Sequence, residues 1–228
     1  YAYFQKLVHQ EKAWGVAVAH QKEDQAETIL DRLLRGAGSR GLSGLRPVQT
    51  LSFSRKFPPL KVWRPLLSYS RAQLQDYLKI HHVRWREDQS NNTKQYRRNQ
   101  IRHEVLPFLS RWNPRLTEVL ARVGEITAAE DQYLQNLLPS VGRKLNSRWR
   151  GKSYFCSARF FQGLPLALQR RWVRFACEKL TERARGLSFA HIEEVIRLWE
   201  GGESGPRDLG FGLSAGRNKN NGFLQWKG

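Results

Sequence analysis

The sequence predicts an α/β protein. The later part of a doubly wound, mostly parallel-sheet domain is expected over residues 1–110, a connector helix over 111–139, and a small α+β unit over 140–228. Three observations predict this. Val16-Ala17-Val18-Ala19 is a short, continuous apolar run between two stretches of helical spacing, and such runs suit a strand buried on both faces of a parallel sheet. Residues 116–138 form one long, mostly amphipathic helical pattern. Beyond it, two further helical patterns give way to glycine-rich strand patterns running to the last residue.

The elements follow in order. Ala2–Gln10 reads as the end of an amphipathic helix with Phe4, Leu7 and Val8 on one face, and Gly15 breaks the pattern before the apolar run. Ala26, Ile29, Leu30, Leu33 and Leu34 recur at helical spacing, with Gly36 as the stop. Helix–strand–helix is the doubly wound order, which places ligands beyond the carboxyl ends of strands. A glycine- and serine-rich loop is expected over 36–44. Strand pieces are expected over 51–53 and 61–63, flanking the Pro58-Pro59 turn. Ser70 is placed to cap a helix over 71–81. A polar loop over 85–93 leads to a helix over 95–109, and Trp112-Asn113-Pro114 punctuates it. The long helix from Leu116 should end at Pro139, because proline cannot continue the hydrogen-bond ladder. A turn, helices over 166–180 and 189–199, and the terminal strands complete the chain.

Composition narrows the function. The chain carries 39 Lys+Arg against 20 Asp+Glu, a net charge of +19. That excess is the electrostatic footprint of a polyanion partner, and a merely solubilising surface is the plainer alternative. It is spread evenly: residues 1–110 hold 19 basic and 9 acidic side chains, and 111–228 hold 20 and 11. Cys156 and Cys177 form no C-x-x-C pair, which argues against a zinc site or a disulfide framework and fits a reduced, cytoplasmic compartment. No apolar run is long enough for a bilayer and no signal-peptide pattern opens the chain, so no membrane partner is expected. The chain begins at Tyr1 and contains no Met, so a processed chain or a fragment is expected.

Four constellations could carry chemistry. In His20-Gln21-Lys22-Glu23-Asp24-Gln25-Ala26-Glu27-Thr28, His20 ends the strand and Asp24 and Glu27 open the next helix. A neutral His there can bond a phosphate or sugar, and a carboxylate can hold Mg²⁺ or an amine. The same carboxylates would equally complement the helix dipole. In the loop Arg35-Gly36-Ala37-Gly38-Ser39-Arg40, glycines admit a phosphate to the backbone and arginines supply charge, although an ordinary loop fits as well. Arg98 and Arg102, beside Tyr96 and Arg97, stand at i, i+4 on one helix face. They could clamp phosphate oxygens while Tyr96 or Trp85 stacks on a base, or they could pair with Asp88 and Glu104. Arg170, Arg171 and Arg174 could track RNA backbone, while Trp172, Val173 and Phe175 suit a core.

In order, His20-x-x-x-Asp24-Gln-Ala-Glu-Thr, Arg32-Leu-Leu-Arg35-Gly-x-Gly38, Gly41-Leu-x-Gly44, Arg64-Pro-Leu-Leu67, Asp88-x-Ser90-Asn91, Arg98-Asn-x-Ile-Arg102 and the later Leu166-Ala-Leu-Gln-Arg170-Arg171 resemble the tRNA(Ile)-lysidine synthetases. The likeness covers nearly the whole chain. It implies a PP-loop nucleotide-binding domain of the adenine-nucleotide α-hydrolase type over 1–110 and a tRNA/substrate-binding domain over 140–228. It implies ATP and Mg²⁺ as cofactors, and isoleucine tRNA and free L-lysine as partners, with oligomeric state open. The implied reaction adenylates C2 of the wobble cytidine, after which lysine displaces AMP to leave lysidine. By position, the resemblance assigns His20, Asp24, Arg98 and Arg102 to catalysis. It assigns His20, Asp24, Arg35, Gly36 and Gly38 to the nucleotide, and Arg40, Tyr96, Arg97, Arg170, Arg171 and Arg174 to tRNA. Two departures stand out. Glu23 replaces the first of two aspartates usual in the His motif, and no Ser-Gly-Gly-x-Asp-Ser loop precedes His20. The chain alone is therefore expected to be inactive. A non-catalytic RNA-binding derivative and a tRNA-thiolating PP-loop enzyme are the alternatives.

Overall fold

The computed structural model describes residues 1–53, 56–86, 97–181, 187–202 and 204–227. The chain forms two compact units, Tyr1–Asp131 and Gln132–Gly228. The division falls inside one long helix, α7 (Leu116–Lys144).

In the first unit, α1 (Ala2–Gln10) precedes β1 (Val16–Ala17), α2 (Lys22–Leu34), the short α3 (Ser39–Leu42), β2 (Val48–Leu51), β3 (Leu60–Trp63) and α4 (Arg71–Ile80). Then α5 (Arg97–Gln100), a π-helical turn (Ile101–Val105) and α6 (Leu106–Ser110) run continuously into one another. The sheet order is β1-β3-β2, with β1 parallel to β3 (Val16 opposite Val62) and β2 antiparallel to it (Val48 opposite Trp63). β3 lies central and buries Leu60 and Val62. The α/β class holds, but the apolar run 16–19 is not a strand buried on both faces. β1 has two residues, Val16 half-buried and Ala17 exposed, at one edge of the described sheet. The ladder reaches only to the Val18 N–H, which donates to the Trp63 carbonyl, before the chain turns into α2. Alanine has too little surface for its burial to demand a covered edge.

Local signals succeeded where they were backbone signals. Ser70 Oγ accepts the Gln73 N–H, and the Gln73 amide answers at the Ser70 N–H, a capping box that starts α4. Gly36 adopts φ +72°, a left-handed conformation natural to glycine, and stops α2. The loop after it folds partly into α3, a helical turn the glycine and serine content concealed. Ala26, Ile29 and Leu30 of α2 bury against Ile101, Leu106 and Leu120.

The second unit joins the end of α7 to β4 (Arg148–Arg150), β5 (Ser153–Ser157), α8 (Ala158–Gln162), α9 (Leu166–Thr181), α10 (Phe189–Glu200), β6 (Ser204–Asp208), β7 (Leu213–Arg217) and β8 (Asn221–Trp226). Its antiparallel sheet has the order β4-β5-β8-β7-β6. β4, β5 and α8 stand where a turn was expected. Their pattern is legible afterwards, since Tyr154 and Cys156 are buried while Phe155 between them is only half-buried. α9 and α10 close over the sheet with Trp172, Val173, Val195 and Trp199, and Trp199 meets Phe161 edge-on at 4.8 Å between centroids.

α7 does not end at Pro139 but continues to Lys144. An interior proline costs a helix about 3 kcal/mol. Leu138, Val141 and Leu145 all bury in the core of the second unit, and burial of each such side chain returns about 1.5–3 kcal/mol. Tertiary packing therefore wins over the local breaker. No helix among the described residues is long and apolar enough to cross a membrane.

Candidate active site

The amino end of α2 gathers four charged side chains. Gln21 caps the helix, and its N–H donates to Asp24 Oδ2 at 2.7 Å, which fixes the Asp24 carboxylate. The other oxygen, Oδ1, accepts from Arg98 Nη2 at 2.6 Å and from Arg102 Nη2 at 3.1 Å. Glu27, one turn further and only 1% exposed, accepts from Arg98 Nε at 2.9 Å and Arg102 Nε at 2.6 Å. Two carboxylates at i, i+3 thus face two guanidiniums at i, i+4. Arg102 lies in the π-helical turn, a rare feature that concentrates at functional sites. Each arginine spends its Nε and Nη2 on the carboxylates and leaves Nη1 uncommitted among the described residues. Burial works to lower the Arg102 pKa, but the hydrogen bonds it donates to Glu27 and the charges of Glu27 and Asp24 carry it above the ordinary value.

His20 borders this cluster, just beyond β1. Its Nδ1 accepts from Arg64 Nε at 3.1 Å. A guanidinium can only donate, so His20 is held neutral with its proton on Nε2. Burial depresses its pKa and outweighs the opposing charge of Asp24. Arg64 is 3% exposed, stands at the carboxyl end of β3, and donates Nη1 to the Arg46 carbonyl at 2.9 Å and to Gln49 Oε1 at 3.2 Å. Glu23 accepts the Arg71 N–H at 3.0 Å on each oxygen and so braces the start of α4. The cleft has a volume of about 620 Å³ and is lined by His20, Glu23, Asp24, Glu27, Arg71, Arg98, Asn99 and Arg102 among others.

The sequence-predicted residues therefore separate. His20, Asp24, Arg98 and Arg102 converge on one cleft. Arg35, Gly36 and Gly38 do not join them. They lie at the other end of α2, 11 positions beyond Asp24 for Arg35, which is roughly 16 Å along a helix axis. There Arg35 and Arg97 share Asp31 at 2.9 and 2.8 Å, and Arg40 sits on α3. A stretch of sequence joined the two groups, but the rigid helix between them keeps them apart. Tyr96 and the Asp88-x-Ser90-Asn91 motif lie outside the described residues. The partners of Arg98 and Arg102 are Asp24 and Glu27, from a helix over 70 positions earlier. On α9, Arg170 makes a two-pronged ion pair with Glu193 at 2.8 and 3.1 Å, Arg174 lies 4.0 Å from Glu178, and Arg171 is half-buried. Arg64 was missing from the expected site, and Glu27, a member of the first constellation, had been given no role in it. Arg64 could have been found as the charged residue ending a strand, where this class of sheet places ligands.

Among the described residues no group of three His, Cys, Asp or Glu could hold a metal. The oxygens of Glu23, Asp24 and Glu27 are already met by N–H donors. Cys156 and Cys177 are both buried, and burial pushes each thiol up to about 12.

Residues 1–109 match the PP-loop domain family, and residues 157–214 match the TilS substrate binding domain family. The tRNA(Ile)-lysidine synthase of Solibacter usitatus is 35% identical over 198 residues, covering 85% of this chain and 43% of the relative. That of Geobacter sulfurreducens is 35% identical over 198 residues, covering 87% and 40%. That of Geobacillus kaustophilus is 34% identical over 220 residues, covering 96% and 46%. The chain spans less than half the length of these curated relatives. A PP-loop domain match followed by a TilS substrate binding domain match, with several tRNA(Ile)-lysidine synthases similar along most of the sequence, makes this chain a member of the tRNA(Ile)-lysidine synthase family.

Proposed function

We propose that these residues form part of a ligase that uses ATP to join free lysine to C2 of the wobble cytidine in isoleucine tRNA. In the first step, the C2 oxygen attacks the α-phosphorus and pyrophosphate leaves. In the second, the lysine amine attacks C2, loses a proton, and AMP leaves with the C2 oxygen. The observation that carries this reading is the Asp24–Glu27–Arg98–Arg102 cluster beside a neutral His20, in a chain whose relatives are named for lysidine formation. Negative charge grows on phosphate oxygens as each bond to phosphorus or carbon shifts. Two guanidiniums held in place by carboxylates meet that charge with no reorganisation. Their uncommitted Nη1 groups suit phosphate oxygens, and the His20 Nε2–H adds a neutral donor.

The carboxylates of Asp24 and Glu27 orient the arginines and are neutralised by them, and no group of three His, Cys, Asp or Glu among the described residues could hold a metal. Mg²⁺ therefore does not fit as a ligand of these side chains, and no step is routed through it. The Arg35–Gly38 segment, remote from the cleft along α2, belongs with Arg40 and Arg97 as an RNA backbone contact in this reading. A thiolating enzyme would need an accessible thiolate, and both cysteines are buried with raised pKa values.

The test pairs two double variants in a protein with a Ser-Gly-Gly-x-Asp-Ser segment supplied ahead of Tyr1. Arg98→Ala with Arg102→Ala should lower the single-turnover rate of lysidine formation at saturating tRNA by at least about 100-fold. Arg170→Ala with Arg171→Ala should mainly weaken tRNA binding. Equal rate losses from both pairs would overturn the assignment. The 228 residues alone, which contain no Ser-Gly-Gly-x-Asp-Ser, should give no lysine-dependent AMP release with ATP, Mg²⁺ and isoleucine tRNA.

A further inference from the structure

The second unit holds a groove of about 450 Å³ that the ligase chemistry does not use. Its floor is Leu138 and Trp172, its walls are Trp149 and Phe175, and its rim carries Arg143 and Lys179. Gly142 makes the floor possible, because a Cβ there would meet the Trp172 ring at 2.7 Å. Trp172 is fixed below by donating Nε1–H to Tyr154 Oη at 2.6 Å, so the floor is rigid.

Several arginines of this unit are neutralised by a carboxylate. Arg170, Arg174, Arg197 and Arg207 each meet a carboxylate. Arg143 and Lys179 meet none among the described residues, and the Lys179 ammonium rests over the Trp149 ring at 4.3 Å from its centroid. The segment from Arg143 to Lys152 holds five basic residues and no acidic one. Aromatic walls beneath unneutralised cations are the recognition chemistry of an unpaired nucleotide: a ring takes the base face, and the cations take its phosphates.

We propose that this groove binds an unpaired nucleotide of the RNA substrate, with its base on Trp149 and its phosphates on Arg143 and Lys179. The ammonium of Lys179 leaves the Trp149 face as the base arrives, exchanging a cation–π contact for a phosphate. This rests on the tRNA reading above, but on residues outside the proposed catalytic cluster.

The test measures filter binding of an unmodified isoleucine tRNA transcript to the full chain across a salt series. The wild-type chain should bind with steep salt dependence. Trp149→Leu should weaken binding on the order of tenfold with the salt slope unchanged, since stacking releases no counterions. Lys179→Gln and Arg143→Gln, both at exposed positions, should each lower the slope by about one. A single-stranded RNA oligonucleotide should compete less well against Trp149→Leu than against wild type, and an RNA duplex equally well against both. Salt-dependent wild-type binding with unchanged affinity in Trp149→Leu and unchanged slopes in the rim variants would overturn the groove and leave the tRNA reading standing. No wild-type binding at low salt would overturn both.

Discussion

The two units place charge differently. In the first, charged side chains go inside: Glu27, Arg64 and Asp131 are buried, and Asp131 meets Arg46 at 2.6 Å. In the second, the buried cluster is apolar and aromatic, with no buried charge among the described residues, and arginines form ion pairs near the surface. A buried charge is costly unless partners surround it, so it fixes geometry more than it adds stability. An exposed ion pair fixes little and is screened by salt. The first unit is thus built to hold a few guanidiniums in defined positions, and the second to hold a rigid apolar body beneath a basic surface.

The largest expected effect tests the apolar half of that contrast. Trp199→Ala removes a fully buried ring and should destabilise the second unit by about 3–5 kcal/mol in urea unfolding. A loss below about 1 kcal/mol would mean that this core is not what holds the unit together. Next, Glu27→Ala should cost about 2–3 kcal/mol, less than a wholly buried pair because Arg98 is 49% exposed. Glu27→Gln, which keeps the shape but not the charge, should recover part of it.

The pH response sharpens the comparison. Because burial lowers the His20 pKa, the unfolded chain takes up this proton first as pH falls through the ordinary value of 6.5. Stability contributed by neutral His20 is therefore full above that pH and declines on acidification toward the lowered folded value. Protonation at Nδ1 would also set a proton against the Arg64 N–H. His20→Asn should flatten the stability profile below pH 6.5, and an unchanged profile would remove His20 from the account. Smaller still, Ser70→Ala should cost about 1 kcal/mol through its cap. Smallest in stability is Glu193→Gln, expected within about 0.5 kcal/mol of wild type, because the pair with Arg170 lies near the surface and is open to solvent screening. It frees Arg170 and should raise tRNA affinity at low salt, and unchanged affinity would argue that Arg170 stays off the RNA.

What the sequence determined by itself was whatever a few neighbouring residues decide. Helical spacing at Ala26, Ile29 and Leu30, the stop at Gly36, the cap at Ser70 and the pairing of Arg98 with Arg102 on one face are local facts of backbone geometry. So is the +19 charge, a sum that needs no fold. Only the tertiary structure decided which carboxylates those arginines meet, that Arg64 reaches His20 from 44 positions away, and that α7 runs through Pro139. It also decided that Arg35, Gly36 and Gly38 stand apart from Asp24, although the sequence places them close by. The reason is that a rigid helix converts short sequence separation into distance, while packing brings distant segments into contact. Buried ion pairs and core helices draw their energy from those distant contacts, which no local pattern contains.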